Sequence, residues 1–178
     1  GESMIISLDK LNRKETDKID LNFSQKIDSI NYCENTYKIT SPLNLKGKIS
    51  RTNKGYYLDA TVSFEILDNC ARCLDEVKVP IEYAIEGFLV KDNFDEDAFE
   101  EYDAFIIDGD EVNLLDIIGQ TLIFNAPAQV ICKDDCEGLC QGCGANLNRE
   151  TCACSQIAND EDEIDPRFAK LKDLFKND

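Results

Sequence analysis

The stretch that decides the fold is "YLDATVSFEILDNCARCLDEVKVPIEYAIEGFLV", residues 57–90. Two runs in it alternate apolar and polar side chains, which is typical of a β-strand with one buried and one wet face. The apolar positions are Leu58, Ala60, Val62, Phe64 and Ile66 in the first run, and Val77, Val79, Ile81, Tyr83 and Ile85 in the second. Between the runs lies a Cys-x-x-Cys pair, Cys70 and Cys73. The pattern predicts two long antiparallel strands joined by a turn that carries two thiols.

A third strand is predicted just before this stretch. The segment "LNLKGKI" at 43–49 also alternates, and "TNKG" at 52–55 is a turn signal. Three alternating runs joined by turns predict an antiparallel meander. Pro80 has no N–H to donate to a neighbouring strand, so it predicts an edge or a bulge in the last run.

Outside the meander, short strands are predicted at 4–8 and 19–23, and Asn113 is expected to cap a helix near 113–124. Asp165 and Pro166 predict the start of a last helix. The fold class is therefore α+β, a mainly antiparallel β-sheet or small barrel-like β domain with two or three helices and a C-terminal Cys-rich knuckle. The predicted organisation, in chain order, is an expression remnant at 1–3, a β-rich domain at 4–130 with an acidic excursion at 92–111, a Cys-rich zinc-binding segment at 131–155, and an acidic linker with a helix at 156–178.

The chain contains nine cysteines and no histidine. Without histidine there is no Cys/His or Ser/His nucleophile pair and no histidine-containing metal site, so ligation must use thiolate or carboxylate. No apolar run reaches the roughly 18 residues of a membrane-spanning helix, and no signal peptide opens the chain. A cytoplasmic location is expected, in which thiols stay reduced.

Eight of the nine cysteines form four close pairs. A structural zinc ion takes four ligands, so each Cys-x-x-Cys pair needs a second pair. The distances between the pairs along the chain predict two metal sites, one local and one that joins distant parts of the chain. The alternatives are free thiols at Cys132 and Cys136, or a single site formed by another four cysteines. The predicted metal ligands are Cys140, Cys143, Cys152 and Cys154 for the local site, and Cys70, Cys73, Cys132 and Cys136 for the other.

Other uses of these cysteines are less favoured. A redox Cys-x-x-Cys pair normally lies at a helix N-terminus in an α/β unit, whereas here one pair joins two strands and the other lies in a turn-rich segment. The ferredoxin spacings of iron–sulfur proteins are missing. Catalytic zinc keeps an open position for water, and two complete four-thiolate sets would leave none. The expected role is structural, and the protein is not expected to be an enzyme.

Charge is unevenly distributed along the chain. Residues 1–58 contain 10 Lys/Arg and 7 Asp/Glu, whereas residues 59–178 contain 9 and 29. Broad nucleic-acid binding is therefore disfavoured, and the acidic part could attract a basic protein. Any RNA contact is expected to use the basic residues Lys10, Arg13, Lys14, Lys18, Lys46, Lys48, Arg51 and Arg72. The alternative for the first four is a solvated face, and for Arg72 it is compensation of the charge on a zinc–thiolate centre.

Three motifs together carry a family resemblance: "CARCL" at 70–74, "CEGLCQGCGANLN" at 136–148, and "CAC" at 152–154 followed by "DPRFAKLKDL" at 165–174. With them the chain resembles the YceD family, also called the large ribosomal RNA subunit accumulation protein family, from about residue 40 onward. The acidic run at 92–111 is not part of the family pattern.

The resemblance implies a role in ribosome assembly and no catalytic activity. It carries over Arg72 and the six cysteines Cys70, Cys73, Cys140, Cys143, Cys152 and Cys154. The expected partner is a basic ribosomal protein or pre-ribosomal RNA, with neither a membrane nor a small-molecule substrate. The alternative function is a structural zinc interaction module with a partner outside ribosome biology.

Overall fold

A computed structural model of the protein describes residues 4–152 and 154. The chain divides into two compact units. The sheet unit contains residues 4–70 and 75–130, and the thiol unit contains residues 71–74, 131–152 and 154. The predicted last helix, which begins at Asp165, lies outside the described residues.

The sheet unit is built mainly from antiparallel strands, with two α-helices and one short 3₁₀-helix at Glu96–Phe99 among its described residues. In chain order its elements are β1 (Ile5–Ser7), α1 (Asp9–Asn12), β2 (Lys18–Gln25), β3 (Ser29–Tyr32), β4 (Asn35–Ile39), β5 (Leu43–Thr52), β6 (Gly55–Asn69), β7 (Glu76–Val90), β8 (Ala104–Ile106), β9 (Glu111–Asn113) and α2 (Leu114–Asn125). These elements confirm the predicted α+β class.

Strand β6 lies at the centre of the larger sheet. It pairs with β7 along one edge, and with β5 and then β4 along the other. Strand β2 extends the sheet beyond β5, and β3 forms a hairpin with β4. Strand β8 joins β7 in parallel, whereas β1 and β9 form a separate antiparallel pair. The predicted meander is thus present as β5, β6 and β7.

One face of the meander is buried, as the alternation predicted. All five apolar positions of β6 from Leu58 to Ile66 are buried, and so are Ile81, Tyr83 and Ile85 of β7. Gly47 allows β5 to lie close to β6, since a Cβ there would lie 2.2 Å from the Asp59 carbonyl oxygen. The β6–β7 register continues without interruption through the pairing of Glu65 with Pro80. Pro80 therefore marks an edge and not a bulge.

The acidic segment at 92–111 is the one predicted as a solvated excursion. Its carboxylates are exposed, but the chain returns to the sheet as β8, where Phe105 is buried. Gly87 makes this return possible, because a Cβ at that position would lie 2.6 Å from the Phe105 ring. The rings of Phe99 and Tyr102 also contact Phe88, with centroids 5.1 and 5.3 Å away. The segment is thus exposed at its charged side chains, whereas the apolar side chains that interrupt the charges contact β7.

Helix α2 begins where it was predicted. The Asn113 side chain accepts a hydrogen bond from the Leu115 N–H at 3.1 Å, which caps the first turn. The helix buries Leu114, Ile118 and Leu122, and Thr121 beside them is half-buried. Among the described residues, no helix is long and apolar enough to span a membrane.

Tyr83 connects β7 to α2. Its hydroxyl donates to the Ile118 carbonyl at 3.1 Å and lies 3.1 Å from Thr121 Oγ1. Burial raises the pKa of Tyr83 to about 12. The hydroxyl therefore stays protonated at neutral pH and holds the helix to the sheet.

We expect Tyr83→Phe to lower the free energy of unfolding by about 1 kcal/mol, because a buried hydrogen bond is lost without a change of shape. Urea denaturation followed by circular dichroism measures this. Tyr37→Phe is the matched control, since the half-buried Tyr37 packs on the core and its hydroxyl makes no hydrogen bond to the described residues. An equal loss in both variants would contradict the assigned role of Tyr83.

Candidate metal centres

The structure places eight cysteine sulfurs in two groups of four. We call Cys70, Cys73, Cys132 and Cys136 the inner group, and Cys140, Cys143, Cys152 and Cys154 the outer group. Within each group the four sulfurs all lie within 4.8 Å of one another. This membership is the one that sequence reach predicted. Cys33, the ninth cysteine, is exposed in the turn between β3 and β4.

The first half of the inner group comes from the turn between β6 and β7. The Cys70 N–H donates to the Asp75 carbonyl at 2.8 Å, which closes the turn. Leu74 adopts a φ of 63°, in the left-handed region, and its side chain is exposed. Both thiols of the turn, Cys70 and Cys73, are buried. The tight reversal of two long strands thus presents two sulfurs on a short, rigid piece of chain.

Arg72 fixes this turn to the rest of the thiol unit. Its carbonyl accepts from the Leu139 N–H at 3.2 Å, and its Nη1 donates to the Cys136 carbonyl at 3.0 Å. Gly138, with a φ of 77°, permits this approach, because a Cβ there would lie 3.2 Å from the Arg72 carbonyl oxygen. The guanidinium therefore holds the backbone beside a ligand cysteine, a role that sequence reasoning did not predict for it.

Asn148 supports the second half of the inner group. Its Nδ2 donates to the Cys136 sulfur at 3.3 Å, and its Oδ1 accepts from the Glu137 N–H at 3.0 Å. Asn146 orients it in turn, because the Asn146 Oδ1 accepts from both the backbone N–H and the Nδ2 of Asn148, each at 3.0 Å. Hydrogen bonds of this kind orient ligands and tune a metal site.

The outer group is formed around a very small hairpin. Leu139 and Asn146 form an isolated antiparallel bridge, the Cys140 N–H donates to the Ala145 carbonyl at 2.8 Å, and the Gly144 N–H donates to the Cys140 carbonyl at 2.8 Å. Gly142 makes room for a thiol, since a Cβ there would lie 3.2 Å from the Cys154 sulfur. The outer thiols are more exposed than Cys70, Cys73 and Cys136.

The pKa values show how strongly the sulfurs act on one another. The pKa of Cys140 is lowered to about 6, first by the Cys143 N–H, then by the Cys152 side chain and the Gly142 N–H. The pKa of Cys154 is raised to about 12 by hydrogen bonds with Cys143 and Cys140. Burial raises the pKa of Cys136, but hydrogen bonds, the largest of them from Asn148 and the Gly138 N–H, together lower it by more than burial raises it. The net shift of the Cys136 pKa is therefore downward. The sulfurs in each group therefore shift one another's pKa values, and thiolates this close repel unless a cation lies between them.

Both groups fit a tetrahedral thiolate-bound ion. A Zn–S bond of about 2.3 Å places the sulfurs of a tetrahedron about 3.8 Å apart. The sulfurs of Cys73 and Cys132 lie 3.6 Å apart, and none exceeds the 4.8 Å limit of its group. Four thiolates with no nitrogen or carboxylate ligand are typical of structural zinc. The eight cysteines can thus hold two metal ions.

The basic residues predicted for RNA contact fall in three places. Lys10, Arg13 and Lys14 lie on or next to α1, and the Arg51 Nη1 reaches the Leu11 carbonyl at 3.3 Å. Arg51 also forms a salt bridge with Asp17. This end of the sheet therefore gathers four cations.

The other predicted cations lie either beside carboxylates of the sheet or in the thiol unit. Lys18 pairs with Asp20 at 3.6 Å. Lys48 lies directly opposite Asp20 on β2 and Asp59 on β6, and Lys46 lies two residues before it on the same face of β5. Arg72 belongs to the thiol unit. The predicted basic residues do not form one continuous stripe on the sheet unit.

The fold and these groups define the class: an α+β protein with two four-cysteine candidate metal centres. The family described as "Large ribosomal RNA subunit accumulation protein YceD" matches residues 58–175, which is more than half of the chain. This protein belongs to that family, which confirms the resemblance drawn from the three motifs.

Similar proteins occur in several bacteria, each named as an uncharacterized protein. The YlbN protein of Bacillus subtilis (strain 168) is 27% identical over 141 residues, covering 78% of this chain and 77% of its own length. A Mycobacterium bovis protein is 28% identical over 134 residues, covering 75% and 62%. A Mycobacterium leprae protein is 29% identical over 143 residues, covering 78% and 61%. The chain thus spans less than two thirds of the mycobacterial relatives. No solved structure matches it.

We expect one metal ion per chain to be lost in either of two serine variants, Cys73→Ser in the inner group and Cys143→Ser in the outer group, because each removes one of four thiolates. Elemental analysis of the desalted protein measures the metal per chain, and the unchanged protein should contain two ions. Cys33→Ser is the matched control and should keep both. A count of two in either group variant would contradict the assignment of that thiol.

Proposed function

We propose that this protein is a non-enzymatic factor in assembly of the large ribosomal subunit. It supports accumulation of large-subunit ribosomal RNA by binding a basic ribosomal protein or pre-ribosomal RNA, and two structural zinc ions hold its thiol unit together. Membership in a family named for large-subunit ribosomal RNA accumulation carries this proposal. We expect the protein to act in the cytoplasm, where its thiols stay reduced.

The donor sets support a structural role for the zinc. Each group supplies four thiolates, so a bound ion is fully coordinated by protein and has no position for water or substrate. Zinc that lacks an open position can neither polarise a substrate nor generate a hydroxide. The absence of histidine from the chain removes the commonest general base as well. Both features favour binding over catalysis.

The distribution of charge favours a basic ribosomal protein over RNA as the direct partner. Residues 59–178 contain 29 acidic and 9 basic residues, and such an excess repels phosphate and attracts cationic proteins. On the sheet unit, Lys18 and Arg51 are paired with carboxylates. The cations beside α1 are the part of the sheet unit that best suits RNA. A partner outside ribosome biology remains the alternative function.

A pull-down from a native lysate of the source organism tests this proposal. We expect the zinc-loaded protein to retain basic large-subunit ribosomal proteins, and to retain them equally after RNase treatment, because the contact is with protein. An unrelated protein of similar net charge is the control against simple ion exchange.

Two results would change the proposal. Retention that is lost after RNase treatment would replace the protein partner by pre-ribosomal RNA. If no large-subunit component were enriched over the acidic control in either arm, the proposed role in ribosome assembly would be contradicted, and the alternative of a partner elsewhere would take its place.

A further inference from the structure

A groove of about 520 Å³ opens on the sheet unit. Four parts of the chain line it: the strand β1, Asp92 just after β7, the stretch from β8 through β9, and the first turn of α2. Its apolar surface includes Ile5 and Ile106, which are 45% and 54% exposed. Large aliphatic side chains exposed side by side in a concave surface are a common feature of protein-binding sites.

Carboxylates line the same groove. The residues that line the groove include four acidic side chains and no basic one. The acidic side chains are Asp92, Asp108, Glu111 and Asp116. The nearest lysine in sequence, Lys91, is 3.5 Å from Asp110 and so has a carboxylate partner of its own. The groove therefore combines aliphatic contact with a strongly negative rim, a charge pattern that suits a cationic ligand.

The strand β8 offers an unpaired edge next to the groove. The Ile107 N–H donates to the Val90 carbonyl, and the Asp103 carbonyl accepts from the Phe88 N–H, so these residues direct their backbone groups toward β7. Backbone N–H and C=O groups of successive residues point to alternate edges of a strand. The backbone groups of Ala104 and Ile106 therefore point to the edge of β8 that faces away from β7. No strand among the described residues pairs with that edge. Such an edge can accept an extended segment of another chain.

We propose that this groove binds an extended, basic segment of a partner protein, one that alternates cationic and aliphatic side chains. The aliphatic side chains contact Ile5 and Ile106, and the cations face the four carboxylates. The proposal rests on the proposed function and deepens it, because it assigns the site at which a basic ribosomal protein would be held. RNA is excluded from this site by the same four carboxylates, which repel phosphate.

The direct test uses a fluorescent hexapeptide that alternates lysine and isoleucine, with fluorescence anisotropy as the measurement on the full zinc-loaded chain. The groove variant is Asp92→Lys with Glu111→Lys. Its control is Glu100→Lys with Glu101→Lys, the same charge change on an exposed acidic turn outside the groove. We expect affinity to fall at least about tenfold in the groove variant, which is about 1.4 kcal/mol, and less than about twofold in the control.

A second pair of variants separates shape from charge. Ile106→Ser removes an exposed aliphatic side chain from the groove. Phe124→Ser removes an aromatic side chain that is 88% exposed elsewhere on the sheet unit. Only Ile106→Ser should weaken the peptide. Nuclear magnetic resonance shifts should centre on the amides of Ile106, Asp108 and Glu111. Circular dichroism checks that all four variants stay folded.

Several outcomes would overturn the proposal. Equal weakening in groove and control variants would mean nonspecific attraction to an acidic surface. If the unchanged chain does not bind the peptide, the proposal is overturned as well. This holds also when the cause is that the chain's own residues fill the groove. Tighter binding of a single-stranded oligouridylate than of the peptide would also overturn it. If the groove variant still retains large-subunit proteins in the pull-down, this site fails while the proposed function stands.

Discussion

Under the proposed zinc binding, the thiol unit depends on one constraint: each ion takes four thiolate ligands, and these must meet around it. The unit combines a four-residue piece of chain, 71–74, with a segment that begins at residue 131. Close thiolates repel one another unless a cation lies between them, and an ion bound as proposed would stabilise only a folded arrangement in which all four meet. The hydrogen bonds of Arg72 and Asn148 then act on a geometry that the inner group has already set.

The sheet could be predicted where alternation of side chains was regular. Strands β5, β6 and β7 bury one face each, and a strand with one buried face shows apolar side chains at every second residue. The β3–β4 hairpin was missed because Ile30 and Ile39 are its only buried apolar residues, too few to show a period. The return of the acidic segment was missed for a related reason. Burial of Phe105 depends on Gly87 in a different strand, and a contact between distant residues leaves no local pattern.

At the candidate site, too, only some of the features could be predicted from the sequence. Membership of the two groups could be predicted because four pairs of cysteines and the reach of the chain allow few arrangements. The roles of Arg72, Asn146 and Asn148 could not, since they follow from the directions of individual backbone groups in tight turns. A signal for the asparagines was present in "CGANLN" at 143–148, directly after two ligands. The groove was also invisible in sequence, because its carboxylates come from separate segments.

X-ray absorption at the zinc edge tests the central claim most directly, since it counts the atoms bound to the ion in the whole protein. Two closed thiolate centres predict four sulfur neighbours per zinc at about 2.3 Å and no oxygen or nitrogen neighbour. That result would support zinc as a structural element of a binding protein. An average of three or fewer sulfurs with an oxygen neighbour would contradict it, because an open position on the metal would make room for chemistry.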